Sequence, residues 1–235
     1  AIAGIRPLDQ IPELGVDKTE SISREGYDQK KLALKVDEGL YIPAVALVPA
    51  DSPGGDFYLI LDGGGKENVL RPESLAFGLV RKGNLVMAAD LPGLGETAGP
   101  AGANSWSTYI GAGWQDVFLA YWLGKSYVGL RAENTLALAR FLTELEPAGD
   151  SRRIHLIATG EAGPAALHAA ALEPDLFETV TIRRSLVSWS NVIQNTVTKN
   201  QLVNAVHGAL RKYDLPDLAA TLPADKLTIE EPVDA

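Results

Sequence analysis

Residues 159–163 read Thr159-Gly160-Glu161-Ala162-Gly163 and decide how the chain is organised. They lie between "RRIHLIA" (152–158) and "PAALHAAALE" (164–173). The first flank is a short β-branched and aliphatic run, the second an alanine-rich segment opened by a proline, so the five residues read as a strand-to-helix turn. Small-x-nucleophile-x-small is the spacing of a turn that holds up an attacking side chain, because so sharp a bend has no room at its flanking positions. Centred this way, the nucleophile position falls on Glu161. Ala165, Ala166, Ala169 and Ala170 let the following helix lie close to a sheet, and its amino end favours an anion by about 0.3 to 1 kcal/mol.

Outward from the turn, the same alternation of strand and helix continues in both directions. Upstream, "KKLALKV" and "LYIPAVALVPA" flank "DEG" (37–39), a hairpin, and "FYLILD" (57–62) is a run of the kind buried on both faces. "PESLAFGLVRKG" reads as a helix with Pro72 in its first turn and Gly83 as its stop, and "NLVMAAD" as the next strand. In "RAENTLALARFLTEL", Leu138, Phe141, Leu142 and Leu145 form an apolar stripe at helical spacing. Downstream, "FETVTIRRS" and "KLTIEE" are strands. Strands alternating with helices after an opening hairpin imply a mostly parallel sheet with helices on both faces and an antiparallel edge. Residues 1–17, with two prolines and no periodicity, read as an extended arm, and 18–235 as one domain.

Composition narrows the function classes. The 235 residues carry 21 Lys and Arg against 30 Asp and Glu, a formal charge of -9, which disfavours nucleic acids and anionic membranes as partners. There is no cysteine, which excludes disulfides, thiolate nucleophiles and sulfur-ligated metals. No apolar run reaches the roughly 18 residues of a membrane helix, and no signal peptide opens the chain. Because the sequence begins "AIAGIRPLDQ" without Met, a processed protein or a module of a longer one is expected.

In such sheets ligands bind beyond the carboxyl ends of the strands. "DGGGK" (62–66) leaves the first parallel strand, and its backbone N–H groups at Gly64 and Gly65, beside Lys66, are placed to meet a substrate oxygen together with the amide of Ala162. The alternative is that both glycine-rich segments are simply tight turns. Gly93-Leu94-Gly95-Glu96-Thr97-Ala98 matches a dinucleotide fingerprint, yet no helix follows it, so no cofactor is expected. Three scattered histidines give no metal site. His155, inside a strand, and His168, on the helix after the turn, read as packing or surface residues. His207, before a glycine in a loop-like segment, is the candidate base. Trp106, Trp114, Trp122 and Trp189 fall near the strand ends, where aromatic faces either stack on sugars or fill the core.

"LILDGGGK", "AADLPGLGET", "TGEAGPAALHAAALE" and "VTKNQLVNAVHGALRKYDLPDLAATL...KLTIEEPVDA" together resemble bacterial α/β-hydrolase-fold proteins of the acetylxylan-esterase-like and dienelactone-hydrolase-like kind. The resemblance runs from about residue 28 to the end. It implies hydrolysis of acyl esters, often on plant polysaccharides, a nucleophile at Glu161 and a triad acid at Asp234. It implies a small-molecule or carbohydrate ester as partner, and a secreted or periplasmic location. It also implies an eighth strand followed by a histidine, and neither has a match here, so a fold lacking its last strand and weak or no serine-type hydrolysis are expected.

Glu161 therefore has three readings. It is a structural anion paired with Lys66, Arg183 or Arg184, or a covalent nucleophile, or a ligand-binding group. A non-catalytic module of the same fold that binds a ligand, or packs against a second hydrolase-like domain or another copy, is the alternative to an esterase.

Overall fold

A computed structural model describes residues 2–50, 54–99, 113–145, 152–196, 198 and 200–234. Eight strands among them form one sheet in the order β1-β2-β3-β5-β4-β6-β7-β8. They are β1 (Gly15–Arg24), β2 (Tyr27–Asp37), β3 (Leu40–Pro49), β4 (Phe57–Asp62), β5 (Leu85–Ala89), β6 (Ile154–Thr159), β7 (Thr179–Arg183) and β8 (Leu227–Glu230). β1, β2 and β3 pair antiparallel, β3 meets β5 antiparallel, and β5-β4-β6-β7-β8 run parallel.

The helices are α1 (Lys66–Val69), α2 (Leu75–Arg81), α3 (Trp114–Trp122), α4 (Tyr127–Glu144), α5 (Gly163–Leu172), α6 (Trp189–Gln194) and α7 (Leu215–Ala219). Strand alternation divides the core. Phe57, Leu59 and Leu61 of β4 join Met87, Leu156 and Val180 under α4 and α5, while Ile60, Val86 and Ile157 face α2 through Ala76, Leu79 and Val80. Both faces of the parallel strands are thus covered, which is why their sequences are continuous apolar runs.

Two expectations are corrected here. Pro72 is not in the first turn of a helix: α2 begins at Leu75, after Glu73 takes a left-handed φ of 63°. β1 occupies residues assigned partly to an arm and partly to no element. All ten of its residues are exposed, so it has no apolar side to mark it. The segment before it is held down rather than loose. Arg140 donates to the carbonyls of Leu8, Ile11 and Pro12, and Arg6 bonds Glu133 at 2.7 Å.

Candidate functional site

β4, β6 and β7 deliver three loops to one end of the sheet. Gly63 N–H donates to the Thr159 carbonyl at 2.9 Å, tying the exit of β4 to that of β6. Thr159 ends its strand, and Gly160, at φ 62°, reverses the chain into a short 3-10 turn (Gly160–Ala162) from which α5 departs. A strand-to-helix bend is therefore present where the sequence places it.

The Glu161 carboxylate, about a third exposed, turns toward Arg131 of α4. Its Oε2 lies 3.5 Å from a guanidinium nitrogen of that arginine, which is 1% exposed. The same arginine donates its Nε–H to the Pro92 carbonyl at 2.9 Å, reaches the Glu161 carbonyl at 3.5 Å, and stacks 4.8 Å from the Tyr127 ring centroid. Burial lowers the Arg131 pKa, and Glu161 and Tyr127 counter part of that effect. Burial likewise pushes the Tyr127 hydroxyl up to about 12.

The cations expected beside Glu161 are elsewhere. Buried Lys66 donates from Nζ to Asp90 Oδ2 at 2.7 Å and to Glu96, Arg183 pairs with Glu230 at 2.6 Å, and Arg184 lies 3.9 Å from Glu231. Burial alone lowers the Lys66 pKa; the hydrogen bonds to Asp90 and Glu96 outweigh it and raise it. Arg131 was missed because an arginine on a helix is read as solvated. The available signal was its place in the buried stripe Val128, Ala132, Thr135 and Leu136.

Three of the "DGGGK" amides are already taken up by acceptors of the protein itself. Gly64 N–H donates to Asp62 Oδ1 at 2.8 Å, Gly65 N–H to the Asp62 carbonyl at 2.9 Å, and Lys66 N–H to Asp90 Oδ1 at 2.6 Å. A Cβ on Gly65 would lie 2.5 Å from the Gly95 Cα, so glycine lets the β4 and β5 exit loops meet backbone to backbone. Ala162 is fully buried.

Asp234 is exposed after β8 and accepts from Asn191 Nδ2 at 3.0 Å. His207 is exposed and meets the Tyr121 ring edge-on at 5.4 Å, on the wall of a recess of about 520 Å³ shared with Phe118, Tyr127 and Leu202. Among the described residues no hydrogen bond joins Glu161, His207 and Asp234. His155 bonds Thr179 and Asp56, and His168 is buried between the Pro164 carbonyl and the Tyr213 hydroxyl, so both are packing residues. Of the tryptophans, Trp189 is core, with Nε1–H donating to the Asn204 carbonyl at 2.7 Å. Trp122 is 79% exposed, Trp114 stacks edge-on with Phe118, and Trp106 lies outside the described residues. Among the described residues no three His, Asp or Glu side chains converge as a metal site, and no helix is long and apolar enough to cross a membrane.

No family model and no curated protein matches the chain. Solved structures do. A Bacteroides fragilis protein assigned as an acetyl xylan esterase superposes with TM-score 0.72 at 16% identity, covering 94% of this chain and 64% of that one. Acetyl xylan esterase 1 from a Thermoanaerobacterium species gives 0.60 at 17% identity, with 97% and 84% covered. A glucuronoyl esterase from Solibacter usitatus gives 0.59 at 15%, with 95% and 68% covered. The chain spans 64% of the first of these neighbours and 47% of a methylesterase that also matches. With the strand order and the strand-to-helix bend, these likenesses show the α/β-hydrolase fold, in the form taken by acetyl xylan esterases.

Proposed function

We propose that the chain is an esterase-like module that recognises acyl esters of carbohydrates without hydrolysing them by a serine-type relay. The observation that carries this reading is that the bend presents no attacking group free to act: the Glu161 carboxylate is held by Arg131, and among the described residues no imidazole bonds it. Acyl transfer needs an activated nucleophile, a base in hydrogen-bond reach and an orienting acid. A carboxylate turned to a buried guanidinium is neither activated nor aimed. The architecture shared with acetyl xylan and glucuronoyl esterases supports the ligand class.

The test pairs two measurements on the unmutated chain. Release of p-nitrophenolate from p-nitrophenyl acetate and of acetate from acetylated xylan should match buffer, while calorimetry with acetylated xylo-oligosaccharides should show saturable binding. Turnover that disappears in Glu161→Ala overturns the reading.

A second reading, packing against another domain or copy, is favoured by the end of α3 and the residue after it, where Leu119, Trp122 and Leu123 are 53%, 79% and 80% exposed. Light scattering showing a monomer at high concentration counts against association of copies.

A further inference from the structure

We propose that the position where this fold holds its attacking atom is Gly160, not Glu161, so that the crevice is an ester-binding cradle from which the nucleophile has been lost. The inference rests on reading the bend as a former catalytic elbow, and it deepens that reading by assigning its register.

Three observations fix the register. A nucleophile elbow is a strained turn, and the residue that carries the strain is Gly160, at φ 62°; Glu161 has no positive φ. The small flanks required two residues away are then Ala158 and Ala162, both fully buried, instead of Thr159 and Gly163. Finally, the space a side chain would need is open at 160. A Cβ built there meets nothing nearer than the Arg184 carbonyl and the Gly63 Cα, each at 4.0 Å. Those atoms belong to the exits of β7 and β4, so the side chain would rise between the loops that frame the crevice. Arg184 itself is held at φ 44°, a second strained residue bordering the same space.

With 160 as the perch, Glu161 is the following residue, whose amide in this fold faces the carbonyl oxygen of a bound ester. Gly63 stands against that amide: a Cβ on Gly63 would lie 2.7 Å from Glu161 N. The absent side chain at 63 keeps the approach to this donor clear. The Glu161 side chain then serves as the anchor, through Arg131, that holds its own backbone in place.

The chain has no cysteine, so one introduced thiol reports unambiguously. Gly160→Cys and Glu161→Cys are compared on p-nitrophenyl acetate. The thiolate sulfur attacks the acetyl carbonyl carbon, the S–C bond forms, and the C–O bond to the aryl group breaks. p-Nitrophenolate leaves with the electron pair, and the thiol proton goes to buffer. The expected result is a burst of one equivalent of p-nitrophenolate per chain from Gly160→Cys, with the acetyl group on the peptide carrying the substitution, at least roughly tenfold faster than from Glu161→Cys.

Glu161→Cys acetylating as fast as Gly160→Cys, or faster than free cysteine, overturns the proposal, and that arm decides even if Gly160→Cys does not fold. A folded Gly160→Cys no faster than free cysteine overturns it as well. Ester turnover by the unmutated chain would instead defeat the proposed function, and it is measured without either variant.

Discussion

Arg131 and Glu161 form an ion pair of unequal partners: the guanidinium is 1% exposed and the carboxylate 35%, with 3.5 Å between their nearest atoms. The arginine bears the cost of burial and the glutamate offsets it from the edge of the crevice. Removing the carboxylate by Glu161→Gln leaves a buried cation with the Pro92 carbonyl, the backbone carbonyl of residue 161 and the Tyr127 ring as its remaining partners. A loss of about 1 to 3 kcal/mol in urea unfolding is expected. Arg131→Met keeps the packing and removes the charge, so it should cost less than Arg131→Ala. Equal losses for the two variants would show that charge, not volume, is what the site needs.

Lys66 and Asp90 make a closer pair, deep between the loops that leave β4 and β5. Asp90 Oδ2 accepts from Lys66 Nζ at 2.7 Å and from the Glu96 amide at 2.9 Å, while Oδ1 accepts from the Lys66 amide at 2.6 Å. Lys66→Met strands a fully buried carboxylate and should cost about 3 to 5 kcal/mol. Double replacement with Asp90→Leu should recover part of this in denaturant melts. Equal losses for single and double variants would mean that the backbone bonds to Asp90, not the ion pair, hold the loops.

How much of this was legible follows from where each signal lies. β4 was placed to the residue from "FYLILD" and α5 to within one residue from "PAALHAAALE", because burial on both sides of the sheet leaves uninterrupted apolar runs. β1 was invisible for the opposite reason: "GVDKTESISR" pairs only along its backbone with β2 and buries no side chain. The bend at 159–163 was found, but its strained residue was not, since in the sequence both Thr159/Gly163 and Ala158/Ala162 satisfy a small-flank rule, and the dihedral angle, burial and open space that distinguish position 160 exist only in the folded chain. Arg131 lies 30 residues upstream of Glu161, on α4, and nothing local to the bend points to it.

Acid sensitivity should arise first at His168. Burial pushes this imidazole down to about 4 from 6.5, although its contact with the Pro164 carbonyl favours the charged form. The folded protein therefore resists a proton that the unfolded chain accepts. The group's contribution is complete above pH 6.5 and is lost as the pH falls toward 4, on the order of 3 kcal/mol in total. Burial pushes Glu133 up, but hydrogen bonds from Arg6 and Lys125 outweigh it and hold that carboxyl low, so its share is lost at lower pH. Urea midpoints of the parent chain should decline between pH 7 and 5, and those of His168→Gln should be flatter. Parallel slopes would remove His168 as the cause.

The joint between α5 and β7 offers a test of packing in which one substitution should relieve another. A Cβ on Gly163 would lie 2.0 Å from Ser185 Oγ and 2.6 Å from Ser185 Cβ, so Gly163→Ala cannot be accommodated without moving the helix off the sheet. A loss of about 1 to 3 kcal/mol is expected. Ser185 Oγ is buried without a hydrogen-bond partner among the described residues, and its removal in Ser185→Ala should be neutral or stabilising by up to about 1 kcal/mol. Because the clash involves both Oγ and Cβ, Ser185→Gly should rescue Gly163→Ala more fully than Ser185→Ala does. The double-mutant coupling should exceed about 0.5 kcal/mol. Additive losses would show that α5 shifts as a body when Gly163 is filled, in which case the bend at Gly160 should move with it.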